Sequence, residues 1–197
     1  MHQEIFTTSH VQLGDVYRVH WLRYALNELQ SHASHKRIRQ RARHFTYRIE
    51  DFVMREEHQV LHKRYRHAID FEGAPSITDC LFGGEEIIPS VFTTKTVSIY
   101  DKEELIAAGY FDVGEKSAAS ILHFFDHHYK RFSLGKYLIL LTLDYLLEHG
   151  YQWYYPGYVV EGNPKMDYKL FLGREEAQYF DPIAVEWRYF EERILNA

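Results

Sequence analysis

The 197 residues are 46% hydrophobic and 16% aromatic, enough for one well-packed domain with a core rich in Tyr and Phe. A single cysteine, Cys80, excludes an intrachain disulfide and a cysteine-built zinc or iron–sulfur centre within this sequence. The net charge of −5 conceals a division: residues 1–66 carry 12 Lys+Arg against 7 Asp+Glu, and residues 67–197 carry 11 against 21. A polyanion contact is therefore expected at the front of the chain.

No run of about 18 apolar residues suggests a membrane span. Met1–Gly14 lacks the charged-then-apolar layout of a signal peptide. A cytoplasmic protein is expected.

Along the chain, Val16–Leu29 reads as a strand leading into a turn or short helix. Residues 36–48 hold six basic residues (Lys36, Arg37, Arg39, Arg41, Arg43 and Arg48) and no acid, with Phe45 and Tyr47 interleaved. This composition suits a phosphate-tracking surface; the plain alternative is a solvated basic face. A helix is predicted from about Met54 to Ile69, with Val60, Leu61, Tyr65 and Ala68 recurring at helical spacing. Phe71–Pro75 breaks it. Three strands are predicted at Ser90–Tyr100, Leu105–Val113 and Ala118–Phe125, separated by short hairpin connections.

Ser133 is placed to cap a helix running to about His149, whose buried stripe is Leu134, Tyr137, Leu138, Leu141, Tyr145 and Leu146. Gly150 stands where a left-handed residue closes a helix. A strand is predicted at Tyr151–Tyr155, ending in a polar, cationic turn from Gly157. Asn163-Pro164 opens a second helix through about Phe171. Ala177–Phe180 reads as a last strand. Three antiparallel strands, a helix, a strand, a helix and a strand describe an α+β domain.

That order resembles the GNAT type of acyltransferase fold. Arg131-Phe-Ser133-Leu134-Gly135-Lys136-Tyr137 and the stretch Gly157-Tyr158 to Gly162, continuing Lys165-Met166-Asp167-Tyr168-Lys169, resemble the arginyl-tRNA–protein transferase family, which includes the bacterial aspartate/glutamate leucyltransferases. Phe124-Phe125-Asp126, the basic run from Lys36 to Arg41, and Arg64-Tyr65 with His67 fit the same likeness, which covers roughly residues 35–182. Two features depart from the family pattern. Its cysteine-bearing N-terminal domain has no counterpart here, and Phe171-Leu172-Gly173 stands where Phe-Arg-Pro is usual.

The resemblance implies a mainly antiparallel sheet flanked by helices, with a basic strand/helix region over 1–70 and the GNAT-like transferase unit over 71–197. It implies transfer of Arg or Leu from aminoacyl-tRNA, the co-substrate, to the α-amine of proteins with acidic N-termini. No further cofactor is implied. An acyl-CoA-dependent N-acyltransferase of the same fold, or a noncatalytic relative binding tRNA or protein N-termini, is the alternative.

Such a transfer needs a neutral amine, donors for a tetrahedral oxyanion and a proton for the departing ribose oxygen. Lys165 and Lys169, four apart on the predicted helix, share a face and can hold a carboxylate or phosphate. Glu161 or Asp167 can serve as base, and Tyr158 or Tyr168 as donor to the ester. Arg131 and Ser133–Tyr137, at a helix N-terminus, offer amides to a phosphate of the tRNA 3′ end. Lys36, Arg37, Arg39, Arg41 and Arg43 are expected to follow the tRNA backbone. The plain alternatives are an ordinary capped helix and a solvated helix end. His58 with His62, and His123 with Asp126, His127 and His128, complete no metalloenzyme motif, so no metal site is expected.

Overall fold

In chain order the computed structural model contains β1 (Ser9–Gln12), β2 (Asp15–Ala25), α1 (Ala33–Ala42), β3 (Thr46–Asp51), α2 (Glu56–Ala68), α3 (Ile77–Phe82), β4 (Thr93–Asp101), β5 (Glu104–Val113) and β6 (Ser117–Phe125). There follow a 3₁₀ segment His127–Phe132, α4 (Leu134–Glu148), β7 (Trp153–Val160), a 3₁₀ segment Pro164–Leu172, β8 (Ala177–Asp181) and β9 (Glu186–Tyr189). The structure describes residues 9–12, 15–70, 73–84 and 93–195. Ser90–Phe92 of the predicted strand, Phe71–Glu72 of the predicted break and most of Met1–Gly14 lie outside these residues.

Eight strands form one sheet in the order β3-β4-β5-β6-β7-β2-β8-β9, and β1 pairs with β2. Strands from both ends of the chain share it, because β2 lies between β7 and β8. All pairings are antiparallel except β6–β7, so the fold is the expected α+β type with a mainly antiparallel sheet. A parallel pair needs a crossover; here the first 3₁₀ segment and α4 supply it.

α4 forms because Leu134–Glu148 is rich in leucine, contains no proline, buries a broad apolar face and is ended by Gly150. Gly150 takes φ +75°, and the amides of Gly150 and Tyr151 close on the carbonyls of Leu147 (3.2 Å) and Leu146 (3.0 Å). Leu134, Leu138, Leu141 and Leu146 bury the predicted stripe, and Ile139, Leu140, Thr142 and Leu143 widen it. Each such aliphatic side chain taken out of water contributes about 1.5–3 kcal/mol. The helix joins a core with Val97, Ile99, Ala107 and Phe111 from the sheet. α2 and α3 cover a second cluster containing Leu61, Ile77, Tyr110 and Phe124.

Several local expectations are corrected. Ser133 does not cap α4 through its side chain: it is left-handed (φ +56°), closes the preceding 3₁₀ turn onto Lys130 O (3.2 Å) and offers its own carbonyl to Tyr137 N–H (3.0 Å). The buried residues of α2 are His58, Leu61 and His62, while Val60 is 48% exposed. The buried side of α2 thus includes a histidine whose polar atoms find partners: His58 lies 2.9 Å from Tyr110 Oη and 3.3 Å from Ser98 Oγ. The strand expected to end at Tyr155 continues to Val160, because β2 pairs with it as far as Val19↔Val160. A register irregularity there accommodates Pro156, which has no amide to donate. The segment after Asn163 is a 3₁₀ helix, and β9 rather than β8 is the last strand.

Candidate functional site

The site begins where two strands part. β6 and β7 pair only over Ser117↔Trp153, Ala118↔Tyr154 and Ala119↔Tyr155. Beyond Ala119, β6 follows β5, and β7 follows β2. Ile121 is an extra residue in β6 opposite the Tyr110–Phe111 step, a bulge at the point of divergence. Ser120 and Tyr154 bridge the opening wedge, Oγ to Oη at 2.6 Å. His123 lies further along β6, and Gly157 and Tyr158 lie along β7.

Lys169 is the central cation. The 3₁₀ segment Pro164–Leu172 starts with Asn163 Oδ1 accepting from Lys165 N–H (3.3 Å), and it brings Lys169 back over β7. Lys169 is only 8% exposed. Its ammonium lies 4.7 Å from the Tyr168 ring centroid, 5.4 Å from that of Tyr158 and 3.8 Å from Met166 Sδ. Tyr24 Oη donates to its backbone carbonyl (3.2 Å). Burial lowers the Lys169 pKa to about 8, against a smaller opposing effect from Asp167. Burial in turn raises the Asp167 carboxyl above the usual range, while Arg174 and Lys169 oppose the rise. Burial pushes the Tyr168 hydroxyl up to about 12 and raises that of Tyr158.

Gly157 is required where it stands. Its φ of +109° suits glycine, and a Cβ there would lie 3.2 Å from Lys169 Cε. Gly109 plays the same part for His123, its partner across β5–β6. A Cβ on Gly109 would collide with His123 Cδ2, and it would stand 3.3 Å from Val97 Cγ1. Gly109→Ala is expected to destabilise the protein by about 1–3 kcal/mol through overpacking, read as a lower midpoint in urea unfolding. An unchanged midpoint would show that His123 has room to move.

The first sequence motif lies beside the element that carries the second. Phe125 at the end of β6 lies 3.7 Å from the position of a Gly135 Cβ, and Lys136 Nζ lies 5.1 Å from the Phe171 ring centroid. The start of α4 therefore touches both β6 and the segment carrying Lys169. Its first turn contains no acidic side chain. Leu134 and Tyr137 are core residues, and Arg131 is exposed with its guanidinium over the Phe132 ring (4.8 Å).

Of the residues singled out in the second motif, Tyr158, Asp167, Tyr168 and Lys169 come together. Glu161 turns away: its carboxylate lies 2.8 Å from His20 Nε2 and 3.5 Å from Arg18 Nη1. Lys165 is exposed and 3.5 Å from Asp70. Lys165 and Lys169 do not share a face, because a 3₁₀ helix aligns residues three apart rather than four. In the basic segment, Arg39 grips Asp144 with both nitrogens and reaches Leu140 O (3.4 Å), so it fastens α1 to α4. Lys36, Arg37, Arg41 and Arg43 are exposed. Phe45 is core, so only Tyr47 of the two interleaved aromatics is presented outward.

Two histidines emerge that sequence alone does not assign to this site. His123 has an enclosed Nε2 without a hydrogen-bond partner, and burial, with the Lys169 cation adding to it, lowers its pKa to about 4. His35, buried on α1, donates from Nε2 to Phe171 O (2.9 Å) and accepts the His32 amide at Nδ1 (3.4 Å). It ties α1 to the Lys169 segment. Among the described residues no group of three or more metal-ligating side chains converges, and no helix is long and apolar enough to cross a membrane.

The sheet with its splayed parallel pair, the crossover helix at its mouth and the buried Lys169 beside the wedge make up a mixed α+β fold with its candidate site at the point where the strands part. In agreement, the fold matches a domain (DUF2156) from Agrobacterium fabrum assigned to a putative lysylphosphatidylglycerol synthetase, with a TM-score of 0.54 at 16% identity, over 73% of this chain and 49% of that one. The family model described as "Arginine-tRNA-protein transferase, C terminus" matches residues 56–178, more than half of the chain, and the protein belongs to that family. The chain is 33% identical to the aspartate/glutamate leucyltransferase of Vibrio vulnificus strain YJ016 over 84 residues, covering 43% of this chain and 36% of that protein. It is 29% identical to arginyl-tRNA–protein transferase 1 of Arabidopsis thaliana over 114 residues, 55% of this chain and 18% of that one. A leucyltransferase of the same description from Ruegeria pomeroyi is 26% identical over 82% of this chain and 63% of its own length. The matches thus span from under a fifth to under two thirds of these relatives.

Proposed function

We propose that the protein transfers an aminoacyl group, Arg or Leu, from the ester at a tRNA 3′ end to the α-amine of proteins with acidic N-termini. The observation that carries this reading is the buried Lys169 cation set among Asp167, Tyr158 and the partly exposed Tyr168 beside β7, inside the family-matched residues.

In this reading the acceptor amine attacks the ester carbonyl carbon, a carbon–nitrogen bond forms and the bond to the ribose oxygen breaks. Asp167, made more basic by burial, takes the proton the amine loses, and that proton ends on the ribose oxygen. Lys169 and a tyrosine hydroxyl stabilise the oxyanion. The Lys169 cation also discourages a second cation beside it, so an α-amine with an ordinary pKa of roughly 8 arrives neutral. No covalent intermediate on the protein is needed. The start of α4, free of acidic groups and in contact with both β6 and the Lys169 segment, would receive a phosphate of the tRNA end. The exposed cations of α1 would follow its backbone.

The test is to incubate the protein with radiolabelled Arg-tRNA or Leu-tRNA and peptides beginning Asp, Glu or Ala. Label is expected on the Asp and Glu peptides from one of the two donors. No transfer from either, with a control transferase active, overturns the reading. Thermal stabilisation by coenzyme A and none by tRNA would instead favour an acyl-CoA enzyme.

A further inference from the structure

Two enclosed polar atoms near Lys169 have no hydrogen-bond partner among the described residues, His123 Nε2 and Asp167 Oδ1. Such atoms carry an uncompensated desolvation cost in a folded protein and point to something that completes them. They stand on different elements, β6 and the 3₁₀ segment, yet both interact electrostatically with the same ammonium. Lys169 itself satisfies neither, since its hydrogen bond runs to Met166 Sδ and its charge faces two tyrosine rings. A third such atom, Thr96 Oγ1, belongs to β4.

The chemistry of the two atoms selects their ligand. A carboxylate oxygen only accepts, and a neutral imidazole that carries its proton on Nδ1 accepts at Nε2. Two acceptors repel a carboxylate or phosphate and call for a donor. A neutral primary amine has two N–H groups and one lone pair, so two acceptors hold both hydrogens and leave the lone pair directed outward. We propose that His123 Nε2 and Asp167 Oδ1 together form the subsite that receives the acceptor's α-amine, with His123 touching the attacking nitrogen. The inference rests on the transfer reading and adds to it the group that aims the nucleophile. It also gives Gly109 its purpose, since only glycine leaves the imidazole its place.

The experiment compares binding of a peptide beginning with Asp and its succinyl-initiated counterpart, in which hydrogen replaces the α-amine, by calorimetry without tRNA. The wild type is expected to prefer the amine peptide roughly tenfold. His123→Leu should bring the ratio near one, and His123→Gln, which retains an acceptor, should restore part of it. The imidazole nitrogen NMR signals of wild-type His123 should move with the amine peptide and not with the succinyl peptide. A wild-type ratio of one, a folded His123→Leu that keeps the wild-type ratio, or unmoved signals would overturn the proposal. The NMR measurement decides even where His123→Leu fails to fold. Amine preference without any transfer would sink the transfer reading alone. Transfer with a preference untouched by His123→Leu would sink this subsite alone.

Discussion

Replacing Lys169 with Met is expected to abolish transfer and, at neutral pH, to raise stability. The loss of activity follows from position. Lys169 is the buried cation of the wedge, and a donor aimed at a developing oxyanion is worth about 10²–10³ in rate. The gain in stability follows from its charge. The folded pKa of about 8 lies below the ordinary 10.5, so the fold carries a cost for holding the proton. That cost is present in full below about pH 8 and amounts to about 3 kcal/mol, as an order of magnitude, since each pKa unit corresponds to about 1.4 kcal/mol. Between about pH 8 and 10.5 the unfolded chain binds a proton that the folded chain does not, and wild-type stability should rise with pH across that window relative to the variant. Met keeps the length that packs against Gly157 and removes the charge. The check is urea unfolding of both proteins from pH 6 to 10.5. A variant less stable than wild type at pH 7, or a difference that does not shrink above pH 8, would mean that Lys169 is paired more favourably than its surroundings show. Retained transfer would place the cation of the reaction elsewhere.

The same residue measures how far the sequence can be read. Strong local patterns carry the sheet's middle: the alternation and turns of β4, β5 and β6, and the apolar run with Gly150 that make α4, lie within a few residues of expectation. Both motifs are recognisable along the chain, and the structure sets the first beside the 3₁₀ segment that carries Lys169. What is not legible depends on distant partners. Nothing within Tyr151–Val160 says that β7 runs on to Val160; β2, more than a hundred residues earlier, draws it out. The choice of a 3₁₀ helix over an α-helix after Asn163 reverses the relation of Lys165 to Lys169, and residue spacing cannot announce it. His35 and His123 carry no local signal either. One is defined by a carbonyl 136 positions away, the other by a glycine on the neighbouring strand and a lysine on a later segment. Arg39 is indistinguishable from its basic neighbours in sequence, and only Asp144 beside it sets it apart.

That distinction within α1 and the turn after it gives a second large effect. Changing Lys36, Arg37, Arg41 and Arg43 together to Gln should weaken tRNA binding and flatten its salt dependence, while leaving the fold intact. All four are exposed, whereas the buried side of the helix consists of His35, Ile38 and Ala42. Each cation that no longer neutralises a phosphate lowers the slope of log K against log salt by about 0.7–0.9, so the four together would remove about 3 from its magnitude. Arg39→Gln is expected to behave differently. Its two bonds to Asp144 and its reach to Leu140 O join α1 to α4, so removing it should lower the unfolding midpoint and leave the salt slope nearly unchanged. Fluorescence anisotropy of labelled tRNA across a salt titration, beside urea unfolding of both variants, separates the two roles. A quadruple variant with the wild-type slope would remove α1 from the tRNA surface. An Arg39→Gln protein of wild-type stability with a flattened slope would return Arg39 to it. Because His35 joins this helix to the Phe171 carbonyl, a tRNA held on the outer face of α1 would stand one hydrogen bond away from the segment that carries Lys169.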